Sequence, residues 1–503
     1  MAATLPQPPA SYEKMLRRMR EVCWLNSSSS ALEWDQDTYM PPKALAHRAE
    51  QLSYLRGRAH RLATAPAVGG WIADCEQRDL APDSVEGANV REWRRQYDRA
   101  TKVPPSFVEQ FERLRALAHE SWRAARAQSR FELFRPHLAE IVAMIRRKAD
   151  YLGYEASPYD ALLEEYEPGA RAAGLTRLFA ELRPAIVALL GPALQEAAAV
   201  PEHLLRGTYP LAAQQAFNRR VAEAIGFDFT AGRIDTTTHP FCTTLGAGDC
   251  RLTTRYNEND FTTSLYGVLH EAGHGLYEQG LPSEFYGLPA GSAVSLGIHE
   301  SQSRLWENHV GRSRSFWEHW HPAACEHFPE LGKLTAEQVY AAVNRVRLSF
   351  IRVEADQVTY DLHIMLRFDL ELKLVTGELA VADVPGHWNE QFERMSGLKI
   401  LKDADGCLQD VHWSLGGLGY FPTYTLGNLN AAQLMQTARR EHPSLDGELA
   451  RGHYQTLLHW LRRKVHGEGS RHNPPELMRR VTGAPTAIQP HLEHLRGKFA
   501  GAK

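Results

Sequence analysis

The segment Ser264-Leu-Tyr-Gly-Val-Leu-His-Glu-Ala-Gly-His-Gly-Leu276 carries two patterns at once. Leu265, Leu269, Ala272 and Leu276 recur at helical spacing, while His270 and His274, four positions apart, project from one face a turn apart. Asp260 is suited to cap the start, and Gly280 followed by Pro282 supplies a stop. Two imidazoles placed this way reach a single metal ion, with Glu271 beside them as a proton acceptor. The competing reading is a pair of histidines that pack or face solvent. An accidental HExxH is uncommon even with 23 histidines in 503 residues, and here the helical context that the motif requires is present.

A catalytic zinc takes three protein ligands and keeps one position open. Downstream, Ser295-Leu-Gly-Ile-His-Glu-Ser-Gln-Ser-Arg-Leu-Trp306 starts a second helix, far enough on for a turn and an antiparallel return. Glu300 is the candidate third ligand; the alternative is an exposed Glu300–Arg304 pair at i,i+4, which the two upstream histidines disfavour. Gln302, on the same helix, is a candidate substrate contact.

Upstream, between Phe227 and Asp260, helical periodicity gives way to Thr-rich, Gly-punctuated runs that predict short strands beside the metal helix. An edge strand there suits an extended peptide held by backbone hydrogen bonds. His239, before Pro240-Phe241, either lines the site or is structural. Alternation places Asp249, Arg251 and Thr253 on one sheet face, as a pocket or a salt bridge.

Further along, Thr335-Ala-Glu-Gln338 is a capping box that opens a helix running to about Val375 and ended by Gly377. Within it, Arg352 and Asp356 form either an ordinary i,i+4 bridge or a guanidinium fork for a substrate carboxylate. The loop from Gly406 to Gly427 holds Gln409, Asp410, His412, Tyr420 and Tyr424. Its glycines lack the strand-turn-helix context of a dinucleotide site, and its polar and aromatic content marks it as a site loop.

The remainder reads as helix: Ser11 to about Ser28 with a break at Ser27–Ser30, a polar turn over Trp34–Pro42 with Asp35 and Asp37 as caps, then amphipathic helices from about 45 to 150. A short helix follows within Ser157–Gly169, then helices from Leu175 with Pro184 at a start or kink, and more from Asn428 to Lys503. No repeat or low-complexity linker divides the chain, which predicts one catalytic domain over residues 1–503. At 43% hydrophobic, 23% charged and net charge −3, nothing in bulk electrostatics favours nucleic acid or a membrane surface. The start lacks a basic segment followed by an apolar run, and no stretch of about 18 apolar residues is evident. Six scattered cysteines without a CxxC pair suggest reduced thiols in a cytoplasm.

The ordered set His239-Pro-Phe, Asp249-Cys-Arg-Leu-Thr, His270-Glu-Ala-Gly-His, His299-Glu-Ser-Gln, Ile351-Arg-Val-Glu-Ala-Asp and Gly406-Cys-Leu-Gln-Asp-Val-His-Trp resembles the motif series of the thermostable carboxypeptidase (carboxypeptidase Taq) family of zinc metallopeptidases. Trp34-Asp-Gln-Asp-Thr-Tyr-Met, Tyr159-Asp-Ala-Leu-Leu-Glu-Glu-Tyr-Glu-Pro-Gly and Gly419-Tyr-Phe-Pro-Thr-Tyr extend the likeness over essentially the whole chain. The resemblance implies a mainly α, two-lobed helical saddle with a deep groove, and a small β-sheet is expected beside the HExxH helix. It implies His270, His274 and Glu300 as ligands, Glu271 as general base, and Arg352 as the grip on the substrate's terminal carboxylate. It also implies a homodimer that removes single residues from peptide C-termini with broad preference, often excepting proline.

Zn2+ is the expected metal, with Co2+ or Mn2+ as substitutes for the same donors. Tyr420, Tyr424 and His239 are candidate donors to the developing oxyanion; Arg251, Gln302 and His412 join Arg352 as candidate substrate contacts. Asp249 and Asp410 are candidate acceptors fixing the ligand imidazoles. The alternatives are an oligoendopeptidase with an open groove and a non-catalytic metal-binding protein.

Overall fold

The computed structural model describes residues 9–500. Helices dominate, and within that span the strands are Gly232–Thr236 (β1), Cys242–Gly246 (β2) and Asp249–Thr254 (β3). Their order is β1-β3-β2, with β1 parallel and β2 antiparallel to β3. Gly248, at φ +83°, makes the tight return between β2 and β3 in a conformation that side chains resist. Cys250, Leu252, Thr253 and Thr254 of β3 are buried, and the strand packs against the helix Phe261–Glu278. The small sheet therefore sits beside the HExxH helix, as the Thr-rich pattern predicts.

Two large apolar cores flank a central cavity. One is built from helices that include Pro105–Gln128, Phe131–Leu152, Ala172–Ala197, Tyr360–Thr376 and Gln489–Phe499. The other gathers Leu211–Ile225, Phe261–Glu278, Arg314–His327 and Gln455–Lys464. Helix Pro422–Glu441 belongs to both: Leu426 and Leu429 lie in the first core, and Ala431, Leu434, Met435 and Ala438 in the second. A helix buried on nearly every side is a spine rather than a surface element. A smaller core of Tyr12, Met15, Val68, Ile72 and Trp93 holds the N-terminal helices together.

Three sequence expectations are corrected. The helix Ala10–Thr38 runs through the serine run without a break. Ser27, Ser28 and Ser29 donate their hydroxyls back to the Trp24 and Leu25 carbonyls, so the polar groups are satisfied inside the helix. The helix expected from Thr335 to Val375 is two helices, Ala336–Val343 and Tyr360–Thr376. Its capping box and its Gly377 stop are present, but Asp356 accepts from the backbone N–H groups of Arg347, Val358 and Thr359, fixing an irregular segment between them. Finally, Ala172–Ala197 is long and apolar enough to cross a membrane by length and composition. Its Leu175, Phe179, Leu182 and Ile186 lie in the first core.

Candidate active site

Asp260 caps the HExxH helix, its carboxylate accepting from Thr262 N–H at 2.9 Å. The helix Leu296–Arg304 lies against it, capped by Ser295. Two glycines set how closely these elements approach. A Cβ on Gly273 would stand 2.6 Å from the Gln302 carbonyl oxygen and the Ser303 Cα, and one on Gly427 would stand 2.4 Å from Glu300 Cγ. The helix carrying Glu300 is thus clamped between the HExxH helix and the spine, with the Glu300 side chain wedged at the contact.

That packing brings His270, His274 and Glu300 together, with one donor atom from each within 4.8 Å of the others. The two Nε2 atoms lie 3.8 and 3.5 Å from Glu300 Oε2. Their Nδ1 atoms are engaged behind: His270 at 3.0 Å from Glu307 Oε2, His274 at 3.1 Å from the His299 carbonyl and 2.6 Å from His299 Nδ1. His299 in turn meets Glu278 at 2.9 Å. With each ring fixed from behind, both Nε2 atoms face the carboxylate, which is the donor set of a divalent cation. The residues present therefore fit a metal.

The Glu300–Arg304 bridge also forms, at 2.7 Å. It and the donor cluster coexist, because Arg304 takes Oε1 and leaves Oε2 to the imidazoles. Burial opposes the charge on Glu300, but Arg304 and the two histidines outweigh it and hold the carboxyl well below its usual range. Burial also lowers His274, to about 4. Burial pulls His270 down too, yet Glu300, Glu307 and Glu271 lift it to about 8, so a cation must displace a proton there. Glu271, 7% exposed, is raised to about 7 by burial. Glu271 and His270 line a cavity of about 1160 Å³.

Arg352 lies on the same cavity wall, in the irregular segment. Its partner is Asp410 rather than Asp356: Nε and Nη2 donate to Oδ1 at 3.0 and 2.8 Å, and Nη1 donates to the Tyr360 hydroxyl at 2.9 Å. Arg367 holds the other Asp410 oxygen at 2.6 Å. Tyr424 also lines the cavity, its ring 5.1 Å from the Arg352 guanidinium and 5.4 Å from Tyr420. His412 packs against Phe421 with ring centroids 4.5 Å apart, and burial lowers it to about 4. The loop expected over Gly406–Gly427 ends at Phe421, Tyr424 standing on the first turn of the spine helix, and both converge with the segment around Arg352.

Other expected residues lie elsewhere. Gln302 is fully buried, meets His466 at 3.0 Å and is not on the cavity wall. His239 is exposed near Asp37 and is not on the cavity wall, although Pro240 is. Arg251 pairs with Asp249 at 2.8 Å and lies 4.2 Å over Trp34, in a bridge to the N-terminal helix. Consequently neither Asp249 nor Asp410 supports a histidine of the cluster; Glu307 and the His299 carbonyl do. Sequence reasoning overlooked Glu307, although Glu300, Arg304 and Glu307 at i, i+4 and i+7 share one helix face. Tyr360, which joins Arg352 to Arg304 by a hydrogen bond and a 4.5 Å cation–π contact, had no signal of its own.

Comparison with known proteins agrees with this geometry. The sequence model of the Carboxypeptidase Taq (M32) metallopeptidases matches residues 14–499. The chain is 44% identical to Thermostable carboxypeptidase 1 of Thermus thermophilus, over 98% of this chain and 99% of that protein. It is 34% identical to Carboxypeptidase 1 of Bacillus subtilis, over 97% and 98%. Among solved structures, an M32 carboxypeptidase from Deinococcus radiodurans R1 superposes with a TM-score of 0.94 at 39% identity, covering 98% of this chain and 99% of that one. Pyrococcus furiosus carboxypeptidase gives 0.95 at 35% identity, covering 99% and 100%. A helical scaffold, a His-His-Glu cluster with a buried carboxylate and half-buried imidazoles, and full-length similarity on this scale lead to one assignment: the chain belongs to the carboxypeptidase Taq (M32) family and is a metallocarboxypeptidase, a peptide hydrolase.

Proposed function

We propose that His270, His274 and Glu300 hold one Zn2+ ion, that Glu271 is the general base, and that Arg352 recognises the free C-terminus of the peptide. The observation that carries this reading is the grouping of the three donor atoms around His270, which lines one cavity together with Glu271 and Arg352. When bound, a divalent cation there polarises the scissile carbonyl and acidifies water, while the protein supplies positions and protons. Glu271, with its pKa lifted by burial, accepts the proton of the attacking water at its carboxylate and returns it to the leaving amine nitrogen. A substrate carboxylate draws the Arg352 fork partly from Asp410. Arg367 keeps Asp410 paired throughout, so the exchange strands no buried charge. Tyr424, with Tyr420 behind it, offers a hydroxyl to the oxygen on which charge develops.

The same reading extends to broad side-chain preference with poor release of terminal proline, to Co2+ or Mn2+ as substitute ions, to a single catalytic unit and to a homodimer, all supported by the family resemblance. A reducing cytoplasm is supported by six unpaired cysteines. The test is a time course of free amino acids from a free-ended peptide, its C-terminally amidated twin and a chelator-treated control. Sequential single-residue release from the free end alone, restored by Zn2+ after chelation, is expected. Internal cleavage of the amidated peptide at an equal rate would replace the carboxypeptidase groove with an open endopeptidase one.

A further inference from the structure

The cavity continues beyond the donor cluster into a recess between the π-helical turn Leu305–Gly311 and the last helix, Gln489–Phe499. His309, His491, His494 and Phe499 line it. His491, His494 and Lys498 fall at i, i+3 and i+7, one face of that helix. The His309 and His494 rings pack with centroids 4.0 Å apart, tilted by 39°. His309 is 6% exposed, and its Nδ1 is buried without a hydrogen-bond partner. Lys498 reaches only neutral acceptors, the Asn308 carbonyl at 3.3 Å and Gln357 Oε1 at 3.5 Å; His494 Nε2 meets that same Gln357 oxygen at 3.1 Å.

The neighbouring carboxylates are committed elsewhere. Asp361 accepts from Thr425 and Asn428 and pairs with His491, and Glu307 serves His270, Arg304 and Arg312. Burial, reinforced by mutual repulsion and by Arg439 and Arg312, keeps the His309, His494 and Lys498 side chains well below their ordinary values. An arriving negative charge relieves that cost. A cation does not fit as well: among the described residues, the only three such donor atoms close enough to share an ion are those of His270, His274 and Glu300.

We propose that this recess, with His309 and His494 on its wall and Lys498 behind them at the lining residues Asn308 and Gln357, is an oxyanion subsite, which takes a carboxylate from an acidic side chain of the bound peptide or a free oxyanion of like charge. The peptide form rests on the function proposed above; binding of a free anion does not. Peptide pairs differing only as Glu or Gln at the last or penultimate position separate the two. Turnover of the Gln peptide reports the catalytic reading, and the Glu-to-Gln ratio reports the subsite.

In the zinc-loaded enzyme, kcat/KM is expected to favour one Glu peptide by on the order of tenfold, as one charge-assisted hydrogen bond gives. Lys498→Met or His494→Gln should abolish the preference and leave the Gln peptide unaffected. Sulfate, compared with chloride at equal ionic strength, should raise the melting temperature of the wild type and not of Lys498→Met; this result without a Glu preference assigns the recess to a free anion. Equal Glu and Gln turnover together with no sulfate effect overturns the proposal. So does a second bound zinc equivalent that His494→Gln removes.

Discussion

Glu307 meets His270 Nδ1 at 3.0 Å, Glu271 lines the cavity beside His270, and the two carboxylates answer to different measurements. Glu307 fixes His270 from behind, so Glu307→Gln is expected to weaken zinc affinity on the order of 10–100-fold, read by competition with a chelating dye. An unchanged affinity would show that the 3.0 Å contact orients nothing. Glu271→Gln is expected to retain one zinc per chain by elemental analysis while turnover falls on the order of 10²–10⁴-fold. A fully active variant would remove Glu271 from the chemistry. Arg352→Met should damage free-ended peptides far more than any residual cleavage of amidated ones, and equal losses would refute the carboxylate grip. At this scale the sequence shows His270, Glu271 and His274 by spacing, and Glu300 by the need for a third ligand. The Arg352–Asp410 pairing escapes it because those residues meet only through tertiary folding across 58 positions.

The helix Leu296–Arg304 holds its place because Gly273 and Gly427 leave room on both sides. Gly427→Ala would push a methyl into Glu300 Cγ, and overpacking of this kind costs about 1–3 kcal/mol. The expected result is a lower urea midpoint together with weakened zinc binding. A destabilised variant with wild-type zinc affinity would separate the spine from the site. Elements with clean periodicity and caps were legible: the HExxH helix, the capping box at Thr335 and the Thr-rich strands. The segment between Val343 and Tyr360 was not, because its shape comes from Asp356 gathering three backbone N–H groups, and a carboxylate among apolar residues reads equally well as a helix face. The serine run misled in the opposite sense, since hydroxyls that favour turns were satisfied within the helix.

Across the whole molecule the two cores are joined by the spine helix and by single buried contacts such as Glu167, whose carboxylate accepts from Gly297 N–H at 2.9 Å at the start of the Glu300 helix. Burial raises Glu167 to about 7, so the fold favours its protonated form. Its stabilising contribution is complete below the unfolded value near 4.5 and is lost as pH rises through about 7. Glu167→Gln should flatten the fall in unfolding free energy between pH 5 and pH 8, read from urea titrations, by on the order of 3 kcal/mol at most; an identical pH profile would contradict this. The helical class was legible from periodicity, whereas the two-core arrangement around a cavity depends on which faces meet and came only through the family resemblance. X-ray absorption at the zinc edge of the loaded enzyme tests the central assignment most directly. Two nitrogen ligands at about 2.0–2.1 Å, protein oxygen at about 2.0–2.2 Å and loss of the oxygen contribution from Glu300 in Glu300→Ala are expected, whereas a sulfur shell near 2.3 Å or a spectrum unchanged by Glu300→Ala would contradict it.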